Sequence, residues 1–150
     1  MDNKTNTAVV NAKSVPISTK MSVEICSAVK GKNLVQARRI LHDVLNMKRA
    51  LPIKRFNADL GHKPGMASGR YPINASKAFL NLLDSVEANA QNKGLNVNDL
   101  IIVHAKADKG EARWHFGRKG RAKMKNTHVS LIVEEKKSQS QGVKKWLRDK

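Results

Sequence analysis

The residues between positions 109 and 125 have side chains suited to binding a polyanion. Only one of them, Glu111, is acidic, and almost none is an apolar residue that could form a core. Trp114, His115 and Phe116 directly follow Arg113, and rings beside a guanidinium are suited to stacking on unpaired bases. The stretch therefore predicts contact with structured RNA, the alternative being a flexible basic loop around a buried tryptophan. Its seven basic residues are Lys109, Arg113, Arg118, Lys119, Arg121, Lys123 and Lys125.

A second basic segment spans residues 54–71, where no helical or strand periodicity continues. Gly61, Pro64, Gly65 and Gly69 interrupt it. Loops of this length are uncommon in compact domains unless they are functional, and glycine lets a backbone come close to a phosphate. We therefore expect an RNA-binding loop, the alternative being a disordered insertion. Its candidate contact residues are Lys54, Arg55, His62, Lys63 and Arg70.

Residues with catalytic or metal-binding chemistry are not grouped along this sequence. The 12 acids are scattered, so no run of carboxylates indicates metal-assisted phosphodiester chemistry. The five histidines have no cysteine or histidine at metal-ligand spacing, and there is no glycine-rich phosphate loop. Cys26 falls on a predicted packed helix, where it makes a poor nucleophile. We therefore expect a protein that is not an enzyme and has no catalytic residue, metal, cofactor or small-molecule substrate.

The charge balance of the whole chain also indicates a polyanionic partner. The 150 residues include 29 lysines and arginines, and the formal net charge of +17 repels itself unless a polyanion neutralises it. The basic residues are spread over predicted helices, loops and strands, which disfavours a membrane surface as the partner. A single cysteine suits a reducing compartment, and the first residues lack the order of a signal peptide. A cytoplasmic location is therefore expected.

Three helices are predicted from apolar residues at helical spacing. The first begins after Ser18 and ends at Gly31, and the second begins after Asn33. The third begins at Pro72 and ends at Gly94. It has the strongest apolar repeat and is expected to be the core helix. That repeat consists of Phe79, Leu82, Leu83, Val86 and Ala90.

Three strands are predicted, at residues 8–15, 100–107 and 128–134. If Val103 pairs with Val133, the last two strands are symmetric about position 118, inside a Gly-Arg-Lys-Gly turn. One hairpin then joins them, with arms on the order of 50 Å long, so its distal half must extend beyond the body. Because a lone two-stranded ribbon is marginal in water, this hairpin needs an external partner.

Several short motifs between residues 11 and 135 resemble one known family. The first group is Pro52-Ile53-Lys54-Arg55-Phe56-Asn57, Gly61-His62-Lys63 and Gly69-Arg70-Tyr71-Pro72. The second group is Glu87-Ala88-Asn89-Ala90, Lys93-Gly94-Leu95, Ile101-Ile102-Val103-His104-Ala105, Gly120-Arg121-Ala122 and Thr127-His128-Val129. Together they resemble the universal large-subunit ribosomal protein L twenty-two family, in its archaeal and eukaryotic branch, called L seventeen in eukaryotes.

The resemblance implies an α+β fold in which a small three-stranded antiparallel sheet packs with three helices and a long β-hairpin protrudes. It implies one rRNA-binding domain at residues 1–135, with the basic loop at 54–71 and the extended hairpin at 106–127. The composition of residues 136–150, which are rich in lysine, serine and glutamine, predicts a flexible basic tail after this domain. The tip of the hairpin, at Arg118, Lys119 and Arg121, would line the tunnel through which the nascent polypeptide leaves. This tip departs from the family pattern, because it is short and proline-free.

The expected function is that of a structural constituent of the large ribosomal subunit, which binds rRNA and supports subunit assembly. Its partners would be large-subunit rRNA, neighbouring large-subunit ribosomal proteins and the nascent polypeptide in the exit tunnel, with no membrane contact. Its location would be the cytoplasmic ribosome. The alternative is a free-standing basic regulator that binds RNA or DNA, since such a protein would share the charge and could share the hairpin.

Overall fold

The computed structural model describes residues 6–136 of the chain, and these residues include three α-helices and six strands. In chain order they are β1 (Thr7–Val15), α1 (Thr19–Val29), α2 (Leu34–Leu45), β2 (Leu51–Pro52), β3 (His62–Lys63), β4 (Met66–Arg70), α3 (Ile73–Asn92), β5 (Leu100–Lys109) and β6 (Thr127–Glu135). The predicted tail at 136–150 lies, apart from Lys136, outside the described residues.

The main sheet is antiparallel, with strand order β1-β6-β5. Every second residue of β6 is buried, from Thr127 through Val129 and Leu131 to Val133, because successive strand residues point to opposite faces. Ile102 of β5 is also fully buried. One face of the sheet therefore packs against the helices, and the predicted α+β fold with a three-stranded antiparallel sheet is confirmed.

The register of β5 against β6 differs in one detail from the prediction. Ile102, not Val103, pairs with Val133, and pairing resumes between His104 and Ile132. Val103 is thus the extra residue of a β-bulge, and its side chain is 47% exposed. The ladder is still centred close to position 118, as the sequence predicts, because the bulge shifts the pairing by only one residue.

The core is closed by the three helices, of which α3 is the longest. Phe79, Leu83 and Val86 of α3 are fully buried, so the predicted core helix is confirmed. The chain leaves α1 and α3 through Gly31 and Gly94, whose φ angles of 76° and 73° belong to the left-handed region that favours glycine. Both helix ends were predicted at these glycines.

A partly exposed group of ion pairs joins α2 to α3. The guanidinium of Arg38 lies 2.6 Å from the carboxylate of Asp84 and also contacts Glu87. Ser18 and Asn33 occupy the predicted N-cap positions, but neither side chain makes a capping hydrogen bond. The first two helices are therefore stabilised by the packing of their apolar faces more than by side-chain caps.

Residues 54–71 include more regular structure than the expected loop, because β3 and β4 lie within them. With β2, which lies just before this segment, β3 and β4 form a second antiparallel sheet with strand order β2-β4-β3. His62 pairs with Ser68, and Leu51 pairs with Arg70. Gly65 makes the turn between β3 and β4 with a φ of 74°. Strands of two and five residues are too short to leave a periodic pattern, so the sequence did not indicate them.

Candidate nucleic-acid interface

A cleft of about 840 Å³ opens where three parts of the chain meet. They are the start of α1, the segment 54–71 and the base of the β5–β6 hairpin, and we call the space between them the basic cleft. Its apolar lining includes Met21, Phe56, Tyr71 and Met124. All of its charged lining residues are basic, so the cleft concentrates positive potential at one place. They are Lys20, Arg70, Lys109, Lys123 and Lys125.

The hairpin side of the basic cleft is fixed to the start of α1 by a buried threonine. Thr127 is fully buried, and its hydroxyl donates to the backbone carbonyl of Ile17 at 2.9 Å. The hydroxyl oxygen of Thr19 lies 2.8 Å from the hydroxyl oxygen of Thr127. A hydroxyl buried this deeply is costly without partners. The two contacts therefore hold the base of β6 against the first turn of α1.

A buried carboxylate fixes the opposite wall of the cleft. Glu24 of α1 is only 3% exposed, and its Oε1 accepts hydrogen bonds from the backbone N–H groups of Lys54 at 3.0 Å and Arg55 at 2.7 Å. Hydrogen bonds to a charged acceptor are stronger than neutral ones. Sequence reasoning missed Glu24 by counting it among scattered acids. Its position between Met21 and Ile25 on the packed helix face was the available signal.

The arms of the hairpin remain connected beyond the two strands. Gly110 donates its N–H to the carbonyl of Asn126 at 3.0 Å, and His115 donates to the carbonyl of Ala122 at 2.9 Å. The tip is a single 3-10 turn that begins at Gly117, whose φ is 64°. These hydrogen bonds connect the two arms on either side of the aromatic residues, whereas the alternative of a flexible loop would have no such pairing.

The aromatic side chains of the hairpin are presented to solvent. Trp114 is 60% exposed and Phe116 is 86% exposed, so the tryptophan is not buried as the loop alternative required. The ammonium of Lys123 lies 4.6 Å from the centroid of the Trp114 ring, where it is attracted to the ring face. Two large rings are thus exposed on the hairpin, and their stacking on bases stays a prediction.

The fifteen candidate contact residues fall into three groups, and all except the half-buried His115 are exposed. Four line the basic cleft: Arg70, Lys109, Lys123 and Lys125. Four lie in the segment that forms the second sheet: Lys54, Arg55, His62 and Lys63. Seven lie towards the hairpin tip: Arg113, Trp114, His115, Phe116, Arg118, Lys119 and Arg121. Their contact with RNA stays a prediction.

Sequence reasoning missed several residues that line the cleft, among them Lys20, Phe56 and Tyr71. Lys20 lies with its ammonium 5.4 Å from the Phe56 ring centroid, and Lys63 lies 5.8 Å from the ring of Tyr71. Phe56 and Tyr71 each follow an arginine, the same pairing that marks Arg113 and Trp114, and this signal could have found them. Nothing near Lys20 in the sequence indicates that it meets residues more than thirty positions away.

The remaining candidate for chemistry is the single cysteine. Cys26 is buried, and this burial raises the pKa of its thiol to about 12, so the thiolate is scarce near neutral pH. Within residues 6–136 no three histidine, cysteine or acidic side chains gather into a metal site. None of the helices in that range combines the length and the apolar character that a membrane span requires.

Comparison with known proteins gives a consistent result. Residues 10–134 match the family described as ribosomal protein L22p/L17e. The large ribosomal subunit protein uL22 of Archaeoglobus fulgidus is 42% identical over 141 residues, which cover 89% of this chain and 91% of that protein. The protein of the same name from Thermofilum pendens is 42% identical over 135 residues, covering 86% and 89%. That of Methanoculleus marisnigri is 37% identical over 138 residues, covering 87% and 90%.

Proposed function

The chain belongs to the ribosomal protein L22p/L17e family, and from this we propose that it binds folded large-subunit RNA through the basic cleft and the hairpin. The family consists of structural proteins without enzymatic activity. Its members named above are large ribosomal subunit proteins, so the chain is a ribosomal protein of the large subunit and works in the cytoplasmic ribosome.

The observation that carries the RNA proposal is the uniform charge of the basic cleft. Five cations from three separate parts of the chain line it, and no acid does. Side chains of one sign repel one another, so an anion that binds among them and neutralises them is favoured at this place. RNA phosphates provide that neutralisation, and the exposed rings of Trp114 and Phe116 can stack on unpaired bases. In this proposal residues 1–135 act as one RNA-binding domain.

The second part of the proposal concerns the hairpin tip. Arg118, Lys119 and Arg121 are exposed around the terminal turn, and no acid lies between Arg113 and Lys125. In the subunit these cations would line the wall of the exit tunnel, with the nascent polypeptide on one side and RNA on the other. Neighbouring large-subunit proteins would contact the body. The support for the tunnel position is the family resemblance together with the charge of the tip.

Sedimentation tests the RNA proposal. A lysate is fractionated on sucrose gradients at moderate and then at high salt, and the chain is followed by mass spectrometry. We expect it to co-migrate with the large subunit and to resist the high-salt wash, because it would be enclosed by RNA and not held by surface charge alone. Recovery in the soluble fraction at moderate salt would favour a free-standing nucleic-acid regulator instead.

A charge reversal tests the tip. Arg118→Glu combined with Arg121→Glu should leave the thermal unfolding of the body unchanged, since both side chains are exposed, but should reduce incorporation into large subunits. The control is Lys30→Glu combined with Lys77→Glu, which makes the same change of charge at exposed positions on α3 and at the end of α1. Normal assembly of the tip variant, with an unaltered tunnel wall seen by electron microscopy, would contradict the tip assignment.

A further inference from the structure

We infer that the basic cleft holds one unpaired nucleotide of the bound RNA, with its base on the apolar floor and its adjoining phosphates against the lysines of the rim. The inference rests on the proposed function, because it names the element of RNA that the cleft selects. Beyond the proposed function, the inference assigns a site that recognises an unpaired nucleotide by its shape and by stacking on its base. Phosphate contacts alone position a protein on RNA without selecting an element of it.

The floor of the cleft is suited to a flat aromatic group. Met21 and Tyr71 pack against the hydrophobic core, so their positions are set by the fold. Met124 is half-buried, and Phe56 is 42% exposed at the cleft edge. Thioether and ring surfaces are favourable partners for the faces of bases. The volume of about 840 Å³ also lies within the range of roughly 300–1,000 Å³ typical of sites for small ligands.

The rim identifies the occupant as an anion. Lys20, Lys109 and Lys125 are exposed, and they come from α1, from the end of β5 and from the returning arm of the hairpin. Cations on separate walls match phosphates on either side of an extruded base better than they match one compact anion. An acidic peptide would satisfy the charges, but it would leave the ring and thioether surfaces of the floor without a flat partner. The combination therefore favours a nucleotide.

The cleft is organised before anything binds. Thr127 ties the hairpin base to α1, and Glu24 ties the segment 54–71 to the same helix. The cation–π contact between Lys20 and Phe56 is a third connection, between α1 and the segment 54–71. A site whose walls are already fixed loses little conformational entropy on binding. Such a site can therefore stabilise an unstacked base, which a mobile loop would do poorly.

Photo-crosslinking in assembled large subunits tests the inference with a matched pair of phenylalanines. Phe56→p-benzoylphenylalanine places the probe at the cleft, and Phe116→p-benzoylphenylalanine places it on the distal hairpin. We expect the Phe56 probe to crosslink to one or two adjacent nucleotides of large-subunit RNA that are unpaired in the subunit. We expect the Phe116 probe to crosslink to a different RNA region.

The two probes separate the possible failures. If the Phe56 probe reacts with protein, or with RNA at a base-paired helix, while the Phe116 probe still reacts with RNA, the nucleotide site is wrong and the proposed function stands. If neither probe reacts with RNA, the proposed function fails together with the inference.

Filling the cleft provides an independent measurement on the isolated full chain. Ala112 lines the cleft and Ala88 is exposed on α3, so Ala112→Trp and Ala88→Trp add the same side chain inside and outside the site. We expect Ala112→Trp to weaken binding to large-subunit RNA by roughly 10- to 100-fold, the effect of losing one stacked base. Ala88→Trp should bind as the unmodified chain does. Equal affinities for the two variants, with unchanged thermal unfolding, would overturn the inference.

Discussion

Neutralising the lysines on the hairpin side of the basic cleft should reduce the salt dependence of RNA binding by a predictable amount. The variant combines Lys109→Gln, Lys123→Gln and Lys125→Gln, three exposed side chains whose loss should leave the fold intact. Each phosphate contact contributes about 0.7 to 0.9 to the slope of log K against log salt concentration. The loss of three contacts should therefore lower the magnitude of the slope by about 2 to 3.

This change in slope can be converted into affinities. Between 50 and 200 mM salt the concentration rises about fourfold, so the affinity ratio of unmodified chain to variant should shrink by a factor on the order of 20 to 40. The assay is fluorescence anisotropy with a labelled large-subunit RNA fragment at several salt concentrations. The slope is read from each series.

A matched variant shows whether the effect belongs to the cleft. Lys30→Gln, Lys48→Gln and Lys77→Gln remove the same charge from exposed positions that do not line the cleft. We expect this control to lower the magnitude of the slope by less than the roughly 0.7 to 0.9 that one phosphate contact contributes. An equal decrease of the slope in the two triple variants would refute the reasoning, because it would mean that RNA binding depends on the total charge of the chain and not on the basic cleft.

Three further predictions concern the contacts that build the site. Glu24→Ala should lower the free energy of unfolding by about 2 kcal/mol and speed hydrogen exchange at the backbone N–H groups of Lys54 and Arg55. Glu24→Gln keeps an acceptor oxygen, so it should lower the free energy of unfolding by less. Equal denaturant midpoints for the two variants would contradict the role given to the carboxylate. Thr127→Val keeps the side-chain shape but removes the buried hydroxyl, so calorimetry should show that the free energy of unfolding falls by about 1–2 kcal/mol. An unchanged free energy of unfolding would mean that the hydrogen bonds of this hydroxyl do not stabilise the fold. Because burial raises the pKa of Cys26 from 9.0 to about 12, a thiol reagent at pH 8.5 should label the folded chain slowly and the denatured chain quickly; comparable rates would show that the thiol is accessible. The same upward shift means that the stabilising contribution of the neutral thiol is complete below about pH 9 and is lost as the pH rises towards 12.

Much of the fold follows from local pattern. The apolar repeat from Phe79 to Ala90 predicts α3, and the glycines that end α1 and α3 adopt the left-handed conformation expected of them. Alternation in β6 and the turn residues near position 118 predict the pairing of the last two strands to within one residue. The bulge at Val103 was not predictable, because a one-residue insertion changes pairing without changing the apolar composition of either strand.

The candidate interface was predictable in composition but not in arrangement. The sequence located the basic residues of segments 54–71 and 109–125 and the aromatic residues beside Arg113. It did not show that Arg70, Lys109 and Lys20 line one cleft. Residue type predicts what a side chain can bind, whereas the meeting of distant segments depends on how the helices pack on the sheet.

The sequence by itself determined the net charge, the helices, the hairpin with its basic and aromatic residues, and the resemblance to one family. These features are local, because periodicity, turn chemistry and charge are properties of neighbouring residues. Only the tertiary structure decided that Glu24 and Thr127 attach two distant segments to α1 and so enclose the basic cleft. Those contacts span thirty or more positions, and packing around the common core brings their partners within hydrogen-bond distance.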